Sequence, residues 1–352
     1  MNMKTEEADI VVVGGGTGGS FAAASAASEG LDVVLLERKS REEGGRIACG
    51  DAIKGAASLP EVIDRDYVAE ESFTNREVRR GIFEADDEKI EIPLPTTGKV
   101  MDRKRYGEVI LEEAERAGAD VVYDTVAKSV VQNGRVEGVR AVRKGEPVEY
   151  RAPITVDAAG ALSVLQDDAD LSGATFDTNV KFTQFCSAYR EIIEVDEPVE
   201  WSDALVFKPA EQLGYVWYFP RTPTEINVGL GFQMTEDPMK LVDALRRDVQ
   251  NREEFVNARV VNKLGAALPT RRPYDSAVAP GFVAVGDAAG HVNPTTGGGI
   301  PGAAKSGAWA GEVAVEAVTD GDVSEGALWE YNQRVMHDFG KKFAATDLYN
   351  IF

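Results

Sequence analysis

The sequence predicts an α/β fold in which a parallel sheet is interleaved with an antiparallel sheet. A β-branched run at 8–13 ends in glycines and precedes an alanine-rich segment at 17–28. Far along the chain, residues 281–285 repeat the form of a short buried parallel strand. Between these segments, residues 181–232 are aromatic and strand-like throughout, as expected of an antiparallel sheet.

The first part of the chain has the pattern of a Rossmann-like βαβ unit. After the strand at 8–13, the small residues of 17–28 predict a helix, and residues 32–37 predict a second strand that closes on Glu37. A strand–helix–strand unit with a glycine-rich first turn is typical of proteins that bind a dinucleotide.

The later elements follow in order, with one irregular part at 42–97, where glycines are frequent near the start. The pattern then predicts an amphipathic helix at 104–117, a strand at 120–123, a hairpin at 125–142 with the turn Asn133-Gly134, and a strand at 154–160. Helices are predicted at 237–249, from about 298 to 317, and near 328 to 344.

Length and composition restrict the class of protein. A chain of 352 residues with 43% hydrophobic content can bury the core of one large domain or two intertwined ones. No run of 18 apolar residues is present, and residues 1–7 lack the apolar core of a signal peptide, so we expect a cytoplasmic protein. Two cysteines and two histidines are too few to suggest a disulfide framework or a metal site.

The charge is strongly acidic, with 59 Asp and Glu against 38 Lys and Arg and a formal net charge of -21. Such a surface repels nucleic acid, so we expect no nucleic-acid partner. Arginines outnumber lysines 23 to 15. Acidity with sparse lysine favours a halophilic protein kept soluble in concentrated salt, and an ordinary acidic cytosolic protein is the alternative.

The strongest motif is Gly14-x-Gly16-x-x-Gly19 between the first strand and the first helix. The first glycine makes the turn, the second lets the backbone approach a phosphate, and the third lets the helix pack on the sheet. Glu37 ends the second strand, where it is suited to receive ribose hydroxyls. A purely structural glycine turn is the alternative.

A second glycine cluster lies after the strand at 281–285, and Gly297-x-Gly299-x-x-Gly302 matches the same pattern. It does not follow a strand directly, and Pro301 falls in its first helical turn, so a second nucleotide fold is not favoured. We predict instead a loop whose N–H groups and helix dipole face an electron-rich ring. Asp287 is expected to accept hydrogen bonds from the hydroxyls of a ribityl chain, or else to cap a helix.

These residues carry a family resemblance. Gly14 to Gly19 with Glu37, Arg103 after Asp102, and Gly286-Asp287 followed by Asn293-Pro294 resemble the flavoproteins of the p-hydroxybenzoate hydroxylase fold. The segments 48–52 (ACGDA) and 215–220 (YVWYFP) are similar to the cysteine-glycine loop and the prenyl-site segment of the geranylgeranyl reductase family. The resemblance extends from Ile10 to about Ala317.

The resemblance implies FAD as cofactor and a set of FAD contacts. Carried over by position, the contacts fall on Gly19, Glu37, Ala48, Cys49, Arg103, Val126, Asp287, Gly299 and Ile300. The two glycine motifs add Gly14, Gly16 and Gly298 to the predicted cofactor-binding residues. It also implies an FAD-binding domain formed by 1–80, 100–170 and 265–320, a prenyl-binding substrate domain formed by 81–99 and 171–264, and a C-terminal helical segment at 321–352. Gln212 stands where the family often has proline, and members tend to continue beyond the position of Phe352, which suggests a shortened C-terminus.

Three residues are the candidates for catalysis: Cys49, Tyr215 and Trp217. Cys49 lies in a glycine-rich loop, where it is expected to be a proton donor or gate beside the flavin, or a small packing residue. Tyr215, Trp217 and Phe219 alternate and therefore share one face of a strand. Such alternation is more often core, and it is the resemblance that favours a prenyl site.

Three other residues carry nucleophilic or titratable side chains. Cys186, in a strand pattern, is predicted to be core. His291 is expected either to approach the flavin or to hydrogen-bond to backbone, and His337 is expected on a helix surface.

The resemblance implies an FAD-dependent reductase that hydrogenates isolated double bonds of geranylgeranyl chains in lipid precursors. It implies a prenyl-chain lipid substrate, an external electron donor (ferredoxin or reduced nicotinamide) and peripheral membrane contact. A flavin-dependent aromatic monooxygenase or halogenase is the first alternative, although such hydroxylases usually carry Asp-Gly where this chain has Ala159-Gly160. A prenyl cyclase that keeps flavin without net redox chemistry is the second, and a plain nucleotide-binding protein is the third.

Overall fold

The computed structural model describes residues 3–85, 88–169, 184–211, 213–234, 237, 239–271 and 273–340. The described chain forms three sheets, with helices packed on the largest parallel one. The two larger sheets position the site.

A six-stranded sheet forms the centre of the nucleotide-binding half. Its strands, in spatial order, are Val278–Ala279, Phe282–Ala284, Ile154–Asp157, Ile10–Val13, Val33–Leu36 and Asp120–Val122. All neighbours are parallel except the first pair. The four residues of Ile10–Val13 are all buried, because helices cover both faces of such a sheet. The carboxyl ends of these strands therefore meet along one edge, which is where such sheets bind ligands.

An eight-stranded sheet forms the second half. Its strands, in spatial order, are Arg259–Pro269, Phe185–Glu194, Glu225–Gln233, Gly214–Pro220, Ala204–Pro209, Phe73–Ala85, Glu88–Met101 and Ala52–Ile53. Neighbours are antiparallel except Ala204–Pro209 with Phe73–Ala85. One face is covered by the helix Met239–Gln250, which packs on the strands Glu225–Gln233 and Phe185–Glu194. The other face is left for the site.

A four-stranded sheet lies beside the nucleotide-binding half. Its strands, in spatial order, are Lys4–Glu7, Glu146–Arg151, Val136–Arg143 and Thr125–Gln132. The two strands Thr125–Gln132 and Val136–Arg143 form the predicted hairpin around Asn133-Gly134, and Gly134 has the positive φ of +71° that this turn requires.

Helices connect the sheets and flank the parallel one. The α-helices are Thr17–Ala27, Arg65–Ser72, Arg103–Ala117, Leu165–Asp168, Met239–Gln250, Ile300–Asp320 and Glu325–Val335. Short 3₁₀ turns lie at Ala56–Ser58, Glu253–Phe255 and Gly286–Ala289, and a π turn lies at Met336–Gly340. The small-residue helices Thr17–Ala27 and Ile300–Asp320 pack against each other closely, since a Cβ on Gly307 would lie 2.1 Å from the Gly18 carbonyl oxygen.

The prediction that residues 42–97 are irregular is wrong. This segment contains the helix Arg65–Ser72, the strand Phe73–Ala85 and most of Glu88–Met101. The strand Glu88–Met101 contains Pro93 and Pro95, which cannot donate a backbone hydrogen bond to a neighbouring strand. On its outer side this strand has only the two-residue neighbour Ala52–Ile53, so few such hydrogen bonds are needed there. Prolines are tolerated at such a sheet edge.

The other predicted elements are confirmed within a few residues, as far as the described chain reaches. Residues 171–183 and Gln212 of the predicted substrate domain, residue 170 of the predicted FAD-binding domain, and 341–352 of the predicted C-terminal segment lie outside the described residues. The division into two domains stays a prediction. The strands Phe73–Ala85 and Arg259–Pro269 each cross one of its proposed boundaries.

Candidate active site

A cavity of about 680 Å³ lies between the carboxyl edge of the parallel sheet and the free face of the antiparallel sheet. Its lining joins segments that are distant in sequence: the turn after the first strand, the loop around Cys49, the strand Gly214–Pro220 and the loop before Ile300. The two glycine clusters therefore meet at one site, as predicted.

The first glycine cluster forms a tight turn that only glycine allows. Gly14 has φ of +105°, and a Cβ there would lie 2.4 Å from the carbonyl oxygen of Ala158, the residue after the neighbouring strand Ile154–Asp157. A Cβ on Gly19 would lie 1.9 Å from the carbonyl oxygen of Gly14. Gly16 lines the cavity, whereas Gly19 lies behind the lining, where it lets the helix approach the strand.

Glu37 fixes this turn from the next strand. Its carboxylate is buried and accepts hydrogen bonds from the backbone N–H of Gly15 at 2.8 Å and of Lys39 at 2.9 Å. Glu37 also lines the cavity. A carboxylate held in this way has lone pairs left for hydroxyl donors such as those of a ribose.

Arg103 is a buried cation beside the same turn. Only 3% of its surface is exposed, and its Nη2 donates to the Thr17 hydroxyl at 3.3 Å. Among the described residues its Nε and Nη1 have no hydrogen-bond partner, and no carboxylate lies within 4.0 Å. A buried charge is normally paired, so this guanidinium fits an anion in the cavity. With the helix N-terminus at Thr17, it provides the donors that a pyrophosphate needs.

The second glycine cluster forms the far wall. Asp287 lies in the turn Gly286–Ala289 and lines the cavity, where burial raises its pKa to about 6 although Arg103 lowers it. The turn begins after Val285 and has no side-chain capping hydrogen bond, so among the described residues Asp287 does not take the capping role. Gly299 and Ile300 open the long helix and line the cavity, whereas Gly298 does not reach the lining.

The Cys49 loop forms one side of the cavity between these walls. Ala48, Cys49 and Gly50 line it, together with Val126 from the four-stranded sheet. The Cys49 thiol accepts a hydrogen bond from the Asp51 N–H at 3.3 Å. Burial raises the pKa of Cys49, and the Asp51 carboxylate raises it further, so the group is a protonated thiol at neutral pH.

A buried network ties this loop to the antiparallel sheet. The Asp51 carboxylate, fully buried, accepts from Arg221 Nη2 at 2.6 Å and from Asn227 Nδ2 at 2.6 Å. The same Asn227 nitrogen donates to the Cys49 carbonyl at 2.8 Å, and its oxygen accepts from the Trp217 indole N–H at 2.9 Å. Asn227 thus holds the thiol loop and the aromatic wall in one arrangement.

The aromatic wall comes from the strand Gly214–Pro220. The side chains of Tyr215, Trp217 and Phe219 line the cavity, with ring centroids 5.9 Å and 6.3 Å apart along the strand. The indole of Trp217 lies on the next strand at Gly229, where a Cβ would be 2.1 Å from its ring. The wall therefore depends on a glycine that the sequence analysis did not single out.

Two predictions for single residues need correction. Cys186 is predicted to be core, but it lines the cavity next to Gly231, because it points to the same sheet face as Trp217.

His291 is buried between the rings of Tyr331 and Phe339, and within the described chain neither ring nitrogen has a hydrogen-bond partner. Burial lowers its pKa to about 3, so it is neutral and neither expected role applies. His337 is exposed, as predicted.

Asp51, Asn227, Arg221 and Gly229 are the residues of the site that sequence reasoning missed. The signal for Asp51 was its place two residues after Cys49. Asn227 and Gly229 lie in the strand Glu225–Gln233, and Arg221 lies in the turn before it. Their local sequence gives no sign that they contact the Cys49 loop or the aromatic wall.

Comparisons with known proteins place the chain in a family. The family of FAD dependent oxidoreductases matches residues 9–264. The digeranylgeranylglycerophospholipid reductase of Methanothrix thermoacetophila is 33% identical over 344 residues, covering 96% of this chain and 85% of the relative. A second relative, digeranylgeranylglycerophospholipid reductase 2 of Methanopyrus kandleri, is 33% identical over 96% of this chain and 84% of its own length.

The chain belongs to the digeranylgeranylglycerophospholipid reductase family of FAD-dependent oxidoreductases.

Solved structures show the same fold. A geranylgeranyl bacteriochlorophyll reductase-like protein from Thermoplasma acidophilum has a TM-score of 0.88 and 27% identity, covering 99% of this chain and 87% of the other. A myxobacterial chondrochloren halogenase has a TM-score of 0.75 and 23% identity, over 96% of this chain and 81% of the other, a likeness of fold alone. The protein is an FAD-dependent enzyme of the p-hydroxybenzoate hydroxylase-like fold.

Two kinds of feature are absent from the residues that the structure describes. None of the helices there is long and apolar enough to cross a membrane. No cluster of three His, Cys, Asp or Glu side chains among those residues could hold a metal ion.

Proposed function

We propose that this enzyme hydrogenates isolated double bonds of geranylgeranyl chains in isoprenoid lipid precursors. The observation that carries the proposal is that Tyr215 and Trp217, the aromatic wall, and the loop with the protonated Cys49 thiol line the same cavity, next to the proposed FAD site. The names of the curated relatives and of the Thermoplasma structure support the same substrate class.

The chemistry explains why such a wall is useful. An unactivated trisubstituted alkene is a poor hydride acceptor, so a proton must arrive with or before the hydride, and positive charge develops on the substituted carbon. The faces of Tyr215 and Trp217 would stabilise that charge by roughly 1–2 kcal/mol per well-placed ring. When bound, reduced FAD supplies the hydride. The apolar lining, with Leu264, Ala266 and Leu268, also excludes water that would capture a cation.

Cys49 or a bound water is the proposed proton donor. The thiol lines the cavity, and both its burial and the Asp51 charge favour its protonated form. Because the Asp51 N–H and Asn227 hold the loop from two sides, the thiol has a fixed direction relative to Trp217. General acids act when they are held within hydrogen-bond reach of the reacting atom.

The proposed FAD contacts are those expected from the resemblance. Gly14, Gly16, Glu37 and Arg103 surround the place for the pyrophosphate and ribose, and Gly19 supports the turn from behind. The remaining contacts are proposed around the ribityl chain and the ring, at Ala48, Cys49, Val126, Asp287, Gly298, Gly299 and Ile300.

An external electron donor, ferredoxin or reduced nicotinamide, is part of the proposal, since hydrogenation consumes two electrons per bond. The prenyl lipid itself implies peripheral contact with a membrane, and a chain with a net charge of -21 is not suited to nucleic acid.

Two rival functions use the same fold. The halogenases resemble this chain in fold alone, and Cys49 with its supporting network favours reduction over an oxygen-dependent reaction. A non-redox prenyl cyclase would use the same aromatic wall without net electron transfer.

An anaerobic experiment tests the proposal. The purified holoenzyme is reduced with dithionite, a geranylgeranyl lipid is added, and flavin reoxidation is followed by absorbance. Reoxidation that needs the lipid supports the reductase. Reoxidation that occurs only after oxygen is admitted contradicts it and favours the monooxygenase.

A further inference from the structure

Arg103 and Arg190 are two buried arginines at this site that lack a carboxylate partner. Arg103 is 3% exposed and Arg190 is 5% exposed. Among the described residues neither guanidinium has a carboxylate within 4.0 Å, and the Nε of each has no hydrogen-bond partner. The FAD pyrophosphate accounts for Arg103. Nothing in the cofactor cradle accounts for Arg190 in the same way.

Arg190 lies on the opposite side of the site, in the strand Phe185–Glu194 of the antiparallel sheet. It is paired with Gly229 and Leu264 on the two neighbouring strands, and Gly229 is in turn paired with Trp217. Arg190 and Trp217 therefore lie in one cross-strand row, with a single strand between them. Its Nη1 donates to Asn262 Oδ1 at 2.5 Å, which holds the side chain in place. Arg190 therefore faces the cavity from the same sheet as the aromatic wall.

A second, smaller cleft of about 290 Å³ lies next to the main cavity, and Arg190 and Ile47 line both. The charged residues around this cleft are Glu43, Arg46, Asp102, Lys104, Arg190, Arg221 and Glu225. The apolar cavity and the polar cleft thus adjoin each other at Arg190 and Ile47.

Every other cation of the cleft has a carboxylate partner. Arg46 pairs with Glu43 at 3.0 Å, and Lys104 pairs with Glu108 at 3.3 Å. Arg221 is paired with Asp51 at 2.6 Å. Arg190 alone among these four has a free charge, within the part of the chain that the structure describes.

The surroundings of Arg190 make its positive charge energetically unfavourable. Burial lowers its pKa from the ordinary value; the Asp51 carboxylate and the Cys49 thiol oppose that effect, and the guanidinium groups of Arg221 and Arg46 add to it. Removing an ion from water without a partner is unfavourable by several kcal/mol, so such a group is expected where a ligand supplies the opposite charge.

We propose that Arg190 binds the phosphate of the lipid head group, in the cleft at the end of the prenyl cavity. This inference rests on the proposed function and adds where the polar end of the substrate lies. An arginine presents a planar fork of donors that matches phosphate oxygens, and its position at the junction lets the apolar chain lie along the aromatic wall while the head group occupies the cleft. Arg46 and Lys104 line the same cleft, where Glu43 and Glu108 already pair with their charges, so Arg190 supplies the unpaired cation.

The test compares a phosphorylated ligand with an uncharged one. Geranylgeranyl monophosphate and geranylgeraniol are titrated into the oxidised holoenzyme, and each dissociation constant is read from the flavin difference spectrum. The variant is Arg190→Gln, which removes the charge. Arg190→Lys keeps the charge, and Arg140→Gln is the matched control, because Arg140 is a half-exposed residue of the four-stranded sheet that pairs with Glu149.

Arg190→Gln is expected to weaken binding of the monophosphate by about 30-fold or more, since removing one partner of a buried charge pair has an effect of that order. Binding of geranylgeraniol, FAD content and the flavin spectrum are expected to stay unchanged, and Arg190→Lys is expected to restore part of the phosphate binding. Arg140→Gln should change neither ligand.

Three results would overturn the assignment. Equal weakening of both ligands would show that Arg190 supports the fold of the cavity. Loss of FAD or a shifted flavin spectrum, with the preference between the ligands retained, would show that the cofactor is its anion. An unchanged monophosphate constant would show that no phosphate meets Arg190. Failure of the proposed function is a separate result, because then the reduced wild-type enzyme would reduce neither prenyl compound.

Discussion

The parallel-sheet wall of the cavity presents mainly backbone, whereas the antiparallel-sheet wall presents side chains. On the first wall, Gly14 and Gly16 bring main chain to the cavity and Arg103 adds one charge. On the second wall, Tyr215 and Trp217 project from a strand over glycine. The first arrangement suits a fixed anionic cofactor and the second an apolar chain, so the two walls should respond to substitution in different ways.

The largest effect is expected on the cofactor wall. In Gly19→Val the new Cβ would lie 1.9 Å from the Gly14 carbonyl oxygen, a backbone contact that cannot move aside. We expect the purified variant to lose FAD almost completely, with at least about a hundredfold weaker binding measured by flavin fluorescence.

Gly326→Ala is the control, because a Cβ there meets only the Ser324 hydroxyl at 3.7 Å and helical alanine is favourable. Gly19→Val protein with normal FAD content would contradict the role of the turn.

The next effect is expected on the substrate wall. In Gly229→Ala the methyl group would lie 2.1 Å from the Trp217 ring and displace the indole. We expect kcat/KM for a geranylgeranyl lipid to fall by about tenfold or more while FAD content stays normal.

The matched control is Gly265→Ala, a sheet glycine whose new Cβ would meet the Ala188 carbonyl at 3.4 Å. If both variants keep the activity of the wild type, the position of Trp217 does not matter for turnover.

The pH dependence of the thiol gives a third comparison. Burial and the Asp51 charge raise the pKa of Cys49, so its thiolate is scarce at neutral pH. In a Cys186→Ser background, alkylation of Cys49 by iodoacetamide is expected to rise with pH and to show no plateau below about pH 9, the ordinary upper range of a free thiol.

Asp51→Asn is expected to shift that alkylation profile to lower pH, since the neighbouring negative charge is removed. A profile that levels off near pH 7 in the parent protein would instead indicate a thiolate and exclude Cys49 as the acid.

The smallest effect is expected at Tyr215. Its hydroxyl donates to the Thr296 carbonyl at 2.6 Å, which connects the aromatic wall to the second glycine cluster. Tyr215→Phe keeps the ring and loses this bond, so we expect a loss of about 1 kcal/mol in the free energy of unfolding and less than about fivefold in kcat/KM. A loss as large as that of Gly229→Ala would show that the hydroxyl itself takes part in the reaction.

The two walls also differ in how far the sequence predicts them. The turn at Gly14 and Gly19 is a local backbone requirement at fixed spacing, so one strand, one turn and one helix are enough to recognise it. The network on the other wall is not local: Arg221 and Asp51 are 170 residues apart, and Asn227 and Cys49 are 178 apart. No pattern within a strand predicts such a pairing.

The second sheet shows the same limit. The strands Phe73–Ala85 and Glu88–Met101 lie at the outer part of the sheet. Because they contain many charged residues and two prolines, their sequences lack the pattern that predicts a strand. Arg190 is buried by neighbours from two other strands. The sequence around Arg190 therefore does not predict that its charge is buried without a carboxylate partner.

The most direct test of the account is the mass of the lipid product after one anaerobic turnover of the reduced holoenzyme. The two walls acting together predict a gain of two hydrogens for each reduced double bond, and a matching loss of reduced flavin. A product of unchanged mass would indicate a cyclase, and an added oxygen or halogen after admission of air would indicate a flavin-dependent monooxygenase or halogenase. Either result would contradict the assignment as a reductase.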